Sequence, residues 1–149
     1  MAEALVIRPF APADQEAARS LVLRGLAERW GWLDESKNAD LDNIAATYAD
    51  GVFLVARLGE ELVGTGALLA EGREIGRVVR MSVARKQRRQ GVGRRLLQAL
   101  LAAARARGYR RVVLETTATW QDAVAFYSEQ GFRPVAVRNG EMHFAYDLQ

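Results

Sequence analysis

The spacing of apolar residues changes period several times along the chain, and each change marks an element. "LVIR" (5–8) alternates briefly and predicts a strand. Across "APADQEAARSLVLRGLAERW" the spacing becomes helical: Ala17, Leu21 and the Val22/Leu26 pair recur on one face, Asp14 stands as an N-cap or first-turn acid, and Gly31 ends the run. "GWLDESKNAD" (31–40) is polar around Trp32 and reads as a loop, with Leu41 to Tyr48 as a second short helix. "VFLVARL" (52–58) and "LVGTGALLA" (62–70) are strand-like, and "GEE" between them predicts a hairpin. After a turn at "EGRE" (71–74), "IGRVVRMSV" (75–83) reads as a strand with Ile75, Val79, Met81 and Val83 on one face and Arg77 as the polar exception. Residues 93–107 carry the clearest helical stripe, Leu96, Leu97, Leu100, Leu101 and Ala104, with Gly108 as a left-handed cap. A strand over 110–117, a helix over 122–130 stopped by Gly131, and a hairpin turning at Asn139-Gly140 complete the order β-α-α-β-β-β-α-β-α-β-β. Hairpins combined with a βαβ segment predict an α/β fold of the α+β type, a mixed sheet with helices on both faces.

Composition narrows this picture. The chain has 149 residues, which predicts one domain over 1–149. Cysteine is absent, which removes disulfides, thiolate metal sites and a cysteine nucleophile. His143 is the single histidine, so no metal is expected. No apolar run approaches the ~20 residues that span a bilayer, and "MAEALVIRPF" lacks the pattern of a signal peptide. The expectation is a soluble, cytoplasmic protein with no membrane partner.

Charge is uneven. The net charge is +3, yet Arg85, Lys86, Arg88, Arg89, Arg94 and Arg95 crowd into one stretch with no acid. Gly91 and Gly93 sit inside it, where strand, turn and helix meet. A helix start has free N–H groups and partial positive charge. Glycines let backbone approach a ligand closely, and successive N–H groups make a concave anion site. The stretch holds the parts of a pyrophosphate cradle; its plainer reading is a solvated basic turn. It lacks G-x-x-x-x-G-K-(S/T), and Leu96 occupies the third glycine position of G-x-G-x-x-G.

Arg88-Arg89-Gln90-Gly91-Val92-Gly93 matches the (R/Q)-x-x-G-x-(G/A) loop of the GNAT family of N-acetyltransferases. "RMSV" before it, an amphipathic helix after it, and then "LETT" and "AFYSEQGF" (125–132) resemble the same family. The resemblance covers nearly the whole chain. It implies a mostly antiparallel sheet of six to seven strands with about four helices, opened into a V-shaped cleft between strands 75–83 and 111–117.

The resemblance further implies acetyl-CoA as cosubstrate. Arg88, Arg89, Gln90, Gly91, Val92, Gly93 and Arg94 would hold its pyrophosphate, through backbone N–H groups from Gln90 onward. Met81, Ser82 and Val83 would pair with the pantetheine arm, and the Val83 N–H would steady an oxyanion. Tyr127 matches the family's general acid: a phenol of pKa ~10 stays protonated and can donate to a departing thiolate whose thiol has pKa ~8.5. The alternative for Tyr127 is a core residue beside Phe126 and Phe132. One departure stands out. Where many members carry an asparagine seven residues before this tyrosine, the chain has Trp120, and the polar contact is lost or moved to Thr119 or Gln121.

Glu115 is the first candidate for general base, against the alternative of an exposed strand-end carboxylate paired with an arginine. Glu28, Glu71 and Glu74 follow it, and His143 reads as a surface or packing residue. Trp30, Trp32 and Asp34 are the candidate acceptor wall, against the plainer reading of a helix anchor and a solvated acid. The lead reading is acetyl transfer to a primary amine of a small molecule. A peptide or protein N-terminal acetyltransferase and a non-catalytic acyl-CoA sensor are the alternatives. A nucleic-acid partner is not expected, because the positive charge is local and the remaining chain is acidic. Members of the family are often dimers, which leaves a homodimer open.

Overall fold

The computed structural model describes residues 4–148. Strands β1 (Leu5–Pro9), β2 (Val52–Leu58), β3 (Glu61–Ala70), β4 (Ile75–Val83), β5 (Arg111–Thr117), β6 (Arg133–Arg138) and β7 (Glu141–Asp147) form one seven-stranded sheet in the order β1-β2-β3-β4-β5-β7-β6. Every pairing is antiparallel except β4 with β5. Helices are α1 (Gln15–Trp30), α2 (Ile44–Thr47), α3 (Val92–Ala106) and α4 (Gln121–Glu129).

Two cores sandwich the sheet. On one face Ala18, Leu21 and Val22 of α1 pack with Leu41, Ile44, Phe53, Val55 and Ala67. On the other, the α3 stripe packs on Leu54, Ala56, Val63, Val78, Val112, Leu114 and Phe144. Strand β2 therefore has both faces covered, which is why "VFLVA" is continuously apolar and not alternating. Leu96, Leu97 and Leu100 are fully buried, each contributing roughly 1.5–3 kcal/mol by leaving water.

Three expectations change. Ala17 is exposed, and its neighbour Ala18 carries the buried face of α1. The segment 31–40 is not simply a loop: a 3-10 stretch runs over Glu35–Asn43, and α2 proper is only Ile44–Thr47. Gln15 holds this region to α1, donating from Nε2 to the Leu41 carbonyl at 2.7 Å and accepting the Ile44 N–H at 3.0 Å.

The third change is in β4. Val79 packs on the α1 face, whereas Met81 and Val83 pack on the α3 face. Thr65 pairs with Ser82 and Ala67 with Val79, so Arg80 and Met81 together oppose Gly66. One extra residue reverses the alternation beyond it. Arg80 takes a left-handed backbone there, with φ of 56°. A Cβ on Gly66 would stand 2.7 Å from Met81 Sδ and 2.9 Å from Leu100 Cδ1, so glycine leaves the room that the bulged strand and α3 fill.

Asp14 occupies the N-cap position of α1, but its side chain makes no capping hydrogen bond to that helix. Its carboxylate, 1% exposed, is gripped through two oxygens by Arg8 at 2.7 and 2.9 Å, approached by Arg57 at 3.3 Å, and accepts the Ala11 N–H at 2.8 Å. It thus ties β1 and β2 to the start of α1. Removing it leaves two cations and a backbone donor unpaired. Asp14→Ala is expected to lower the unfolding free energy by roughly 2–3 kcal/mol at neutral pH, measured by urea denaturation. The Arg8 hydrogen bonds outweigh burial and hold the Asp14 carboxyl below its ordinary range. That stabilisation is present above the unfolded carboxyl pKa of ~3.9 and is lost as pH falls through the lower folded value. The two unfolding free energies should converge in acid; a gap that stays constant would contradict this assignment.

Candidate active site

Strands β4 and β5 are paired only from Ile75 with Arg111 to Arg77 with Val113. Beyond Arg77 they separate, and the sheet opens into a cleft of about 1070 Å³. One wall is Val79 to Val83, the other Leu114 to Thr117, with α1 above and the starts of α3 and α4 at the mouth.

Backbone direction along β4 decides what the cleft is offered. The Ala84 N–H donates to the Val63 carbonyl at 2.8 Å, so position 84 turns toward β3. Alternation then turns the N–H and C=O of Val83, and those of Met81 in phase with it, away from β3 and into the cleft. The Val83 carbonyl accepts from Arg88 Nε at 3.2 Å, consistent with that direction. Ser82 differs from the sequence expectation: it is paired with Thr65, and its side chain faces Gly25 of α1.

The loop after β4 runs into α3. Arg89 and Gly91 are both left-handed, with φ of 65° and 85°. Helix α3 has no side-chain cap and no acidic residue in its first turn, so its leading N–H groups are free to face a ligand. At Gly91 the conformation, not space, calls for glycine, because the nearest atom to an added Cβ is 4.0 Å away. Gly93 is different: a Cβ there would meet Phe126 Cζ at 3.3 Å. Val92 is buried in the core beneath the loop. Gln90, Arg89 and Arg94 are exposed. Arg88 reaches Glu28 of α1 at 3.3 Å, which engages Glu28 in the loop and leaves it off the cleft wall.

Tyr127 is a core residue that also reaches the cleft wall. Its ring packs against Phe126, Phe132 and Phe144, at centroid separations of 5.1, 6.0 and 5.9 Å, and it also lines the cleft. Burial pushes its hydroxyl above the ordinary phenol range, against a smaller opposing effect of the Arg29 charge. Glu115 lines the cleft too and is ion-paired through Oε2 with Arg77, which also binds Glu71. His143, its cross-strand neighbour on β7, has Nδ1 3.9 Å from the same oxygen. The arginine-paired alternative for Glu115 is thus realised, at a half-buried position in the cleft wall. Glu74 pairs with Arg110 at the surface.

The acceptor wall is only partly as expected. Trp30 lines the cleft, but Trp32 and Asp34 do not. Trp32 is 60% exposed. Asp34 caps the 3-10 stretch, accepting from Ser36 N–H at 3.1 Å and Ser36 Oγ at 2.6 Å; these bonds hold its carboxyl below the usual range. The sequence reading passed over Arg29. It grips Asp122 at 2.9 and 2.7 Å and lies 4.5 Å from the Trp120 ring centre, while Trp30 packs on Trp120 at 5.1 Å. This clasp joins the end of α1 to the start of α4 across the cleft. No local signal reveals it, because its partners lie some ninety residues apart. Trp120 lines the cleft, whereas Thr119 and Gln121 are exposed and off its wall, so neither takes over the family asparagine's place. Among the described residues no cluster of three His, Cys, Asp or Glu is placed to hold a metal ion, and no helix is long and apolar enough to cross a membrane.

The rat (Rattus norvegicus) protein N-acetyltransferase 8F1 is 35% identical over 127 residues, covering 79% of this chain and 58% of that protein. The chain spans about half the length of the curated relatives it matches. A GNAT-family acetyltransferase from Staphylococcus aureus Mu50 superposes with a TM-score of 0.89 at 21% identity, covering 98% of this chain and 100% of that one. The PaiA N-acetyltransferase from Thermoplasma acidophilum, solved with coenzyme A, gives a TM-score of 0.85 at 14% identity, covering 97% and 99%. At these identities the structural likeness speaks to fold. The family's own sequence model, described as Acetyltransferase (GNAT) family, matches residues 17–132, from α1 through the cleft to the end of the α4 unit, and this chain belongs to that family.

Proposed function

We propose that this chain transfers the acetyl group of acetyl-CoA directly to a primary amine of a small molecule. The observation that carries the reading is the meeting, in one cleft, of an uncapped helix start and a strand edge released from its partner. The donor set fits the coenzyme. Backbone N–H groups from Gln90 to Arg94, a left-handed Gly91 and exposed arginines suit a diphosphate. The cleft-facing N–H and C=O of Met81 and Val83 suit an arm that carries amides, with Arg88 giving up the Val83 carbonyl.

Bound acetyl-CoA supplies an activated thioester carbonyl. The Val83 N–H is positioned to donate to that oxygen as charge builds on it, a kind of donor whose removal costs ~3–4 kcal/mol. Tyr127, kept protonated by burial, gives its proton to the departing sulfur. Glu115 takes a proton from the amine, directly or through water. Arg77 and His143 both address Oε2, which leaves Oε1 for that proton. The Arg29–Asp122 clasp and the Trp30–Trp120 pair bridge α1 and α4 in the cleft wall, and this bridge supports the choice of a small acceptor over a folded protein surface.

An amine panel read by free-thiol release tests the whole assignment: small primary amines should release thiol, and release with peptides alone would favour the N-terminal acetyltransferase reading. Tyr127→Phe should lower kcat by roughly 100-fold while CoA affinity stays within about threefold; unchanged turnover would remove Tyr127 from the reaction. Gly91→Glu forces a left-handed side chain and adds negative charge to the cradle. At 100 times Kd, CoA should stabilise the native chain by ~2.7 kcal/mol, and this variant should lose that thermal shift. A retained shift would contradict backbone capture of the diphosphate.

A further inference from the structure

Arg80 is a non-glycine residue held left-handed inside a strand that walls the cleft. Such a backbone persists only where its surroundings over-determine it. Here the restraints converge from three directions. Thr65, fully buried, donates its hydroxyl to the Arg80 carbonyl at 2.8 Å. Asp40 receives the guanidinium through two bonds, Nε to Oδ2 at 2.9 Å and Nη2 to Oδ1 at 2.5 Å. Asn38 Oδ1 accepts from Nη1 at 2.9 Å. Asp40 is fixed in turn by the Tyr48 hydroxyl at 2.7 Å, and Asn38 and Tyr48 are buried. Burial alone would raise the Asp40 carboxyl; the bonds from Arg80 and Tyr48 outweigh it and keep the carboxyl below its ordinary range.

The consequence lies in backbone parity. Before the bulge, odd positions of β4 face β3: the Ile75 carbonyl accepts the Glu71 N–H at 2.8 Å. Even positions face β5: the Glu74 carbonyl accepts the Arg111 N–H at 3.2 Å. After the bulge the parity is reversed, since Ala84 donates to Val63. In an unbulged strand the Val83 N–H would be spent on β3. The extra residue at Arg80 releases it to the cleft.

We propose that Arg80 is a positioning residue: gripped by Asp40 and Asn38 from the segment between α1 and α2, it holds the bulge that aims the Val83 N–H into the cleft. Its effect on turnover rests on the acetyl-transfer reading; its effect on backbone geometry does not. The test separates backbone from side chain. Asp40→Ala removes the grip, and Arg80→Ala removes it too while keeping the Cβ that disfavours the left-handed backbone. Each should lower kcat about tenfold, with CoA affinity within about threefold of the parent. Glycine adopts the conformation without a grip. In the Asp40→Ala background, Arg80→Gly should therefore recover most of the lost kcat, while Arg80→Ala should not. Equal kcat in the two double variants, or no loss in either single variant, would overturn the proposal. The Val83 amide chemical shift, read by NMR on ligand-free protein, reports the backbone geometry without turnover. It should move in Asp40→Ala and return in Asp40→Ala/Arg80→Gly, and a shift unmoved in Asp40→Ala would overturn the proposal. A parent chain that acetylates no amine would defeat the proposed function, leaving the amide measurement to decide this one.

Discussion

A strand residue can show its N–H to one neighbour only. That constraint governs this molecule. Strand β4 begins between two partners, β3 and β5, and ends with one. Where β5 departs, half of the β4 backbone groups face an opening, and parity decides which half. The bulge at Arg80 sets that parity, places the side chains of Met81 and Val83 over α3, and turns their N–H groups outward. Gly66 makes room for the bulge from the opposite strand. The chemistry proposed for the cleft therefore depends on one extra residue and on the contacts that keep it there.

The basic loop solves a related problem at the other end of the cleft. A helix start without a cap forgoes about 1 kcal/mol of stabilisation. Helix α3 forgoes it, and has no acid in its first turn to offset its dipole. Its apolar stripe is nevertheless fully seated in the core, so tertiary packing holds the helix without help from its end. The uncapped donors are thus left for an anion. Glu28, which engages Arg88 and Arg85, tethers the loop to α1 without neutralising the helix start itself.

Much of the architecture was legible because it rests on local signals. The α3 stripe, the left-handed Gly108 and the turn at Asn139-Gly140 all behave as their spacing implies. The glycine–arginine loop together with "AFYSEQGF" was enough to suggest the family. Long-range pairing was less legible. Asp14 reads as a cap in its local context, but Arg8 and Arg57 claim it. Asp34 reads as part of an acceptor wall, yet its carboxylate closes a turn with Ser36. Glu115 meets Arg77 only because β4 and β5 become neighbours through a crossover. The bulge did leave a trace. Arg77 and Arg80 are three apart, and they are the two charged residues of the strand; an unbroken strand puts them on opposite faces. A change of phase between them is the simplest way to give each a polar surrounding, Arg77 with Glu71 and Glu115, Arg80 with Asp40 and Asn38.

Trp120 shows how a departure from a family pattern can be absorbed by neighbouring chemistry. An asparagine at that position offers an amide to the cleft; an indole offers a flat apolar face and one donor. Such a face needs covering, and Trp30 and Arg29 cover it from α1. Arg29 would be left with an unmatched charge, and Asp122, two residues after Trp120, matches it through two bonds. Asp122 also lies in the first turn of α4, where a carboxylate opposes the helix dipole favourably. The four residues form one unit that fastens α1 to α4. The substitution exchanges a polar contact inside the cleft for an aromatic and ion-paired clasp in its wall, while the neutral hydroxyl of Tyr127 rests on burial of its ring among Phe126, Phe132 and Phe144, which outweighs the opposing charge of Arg29.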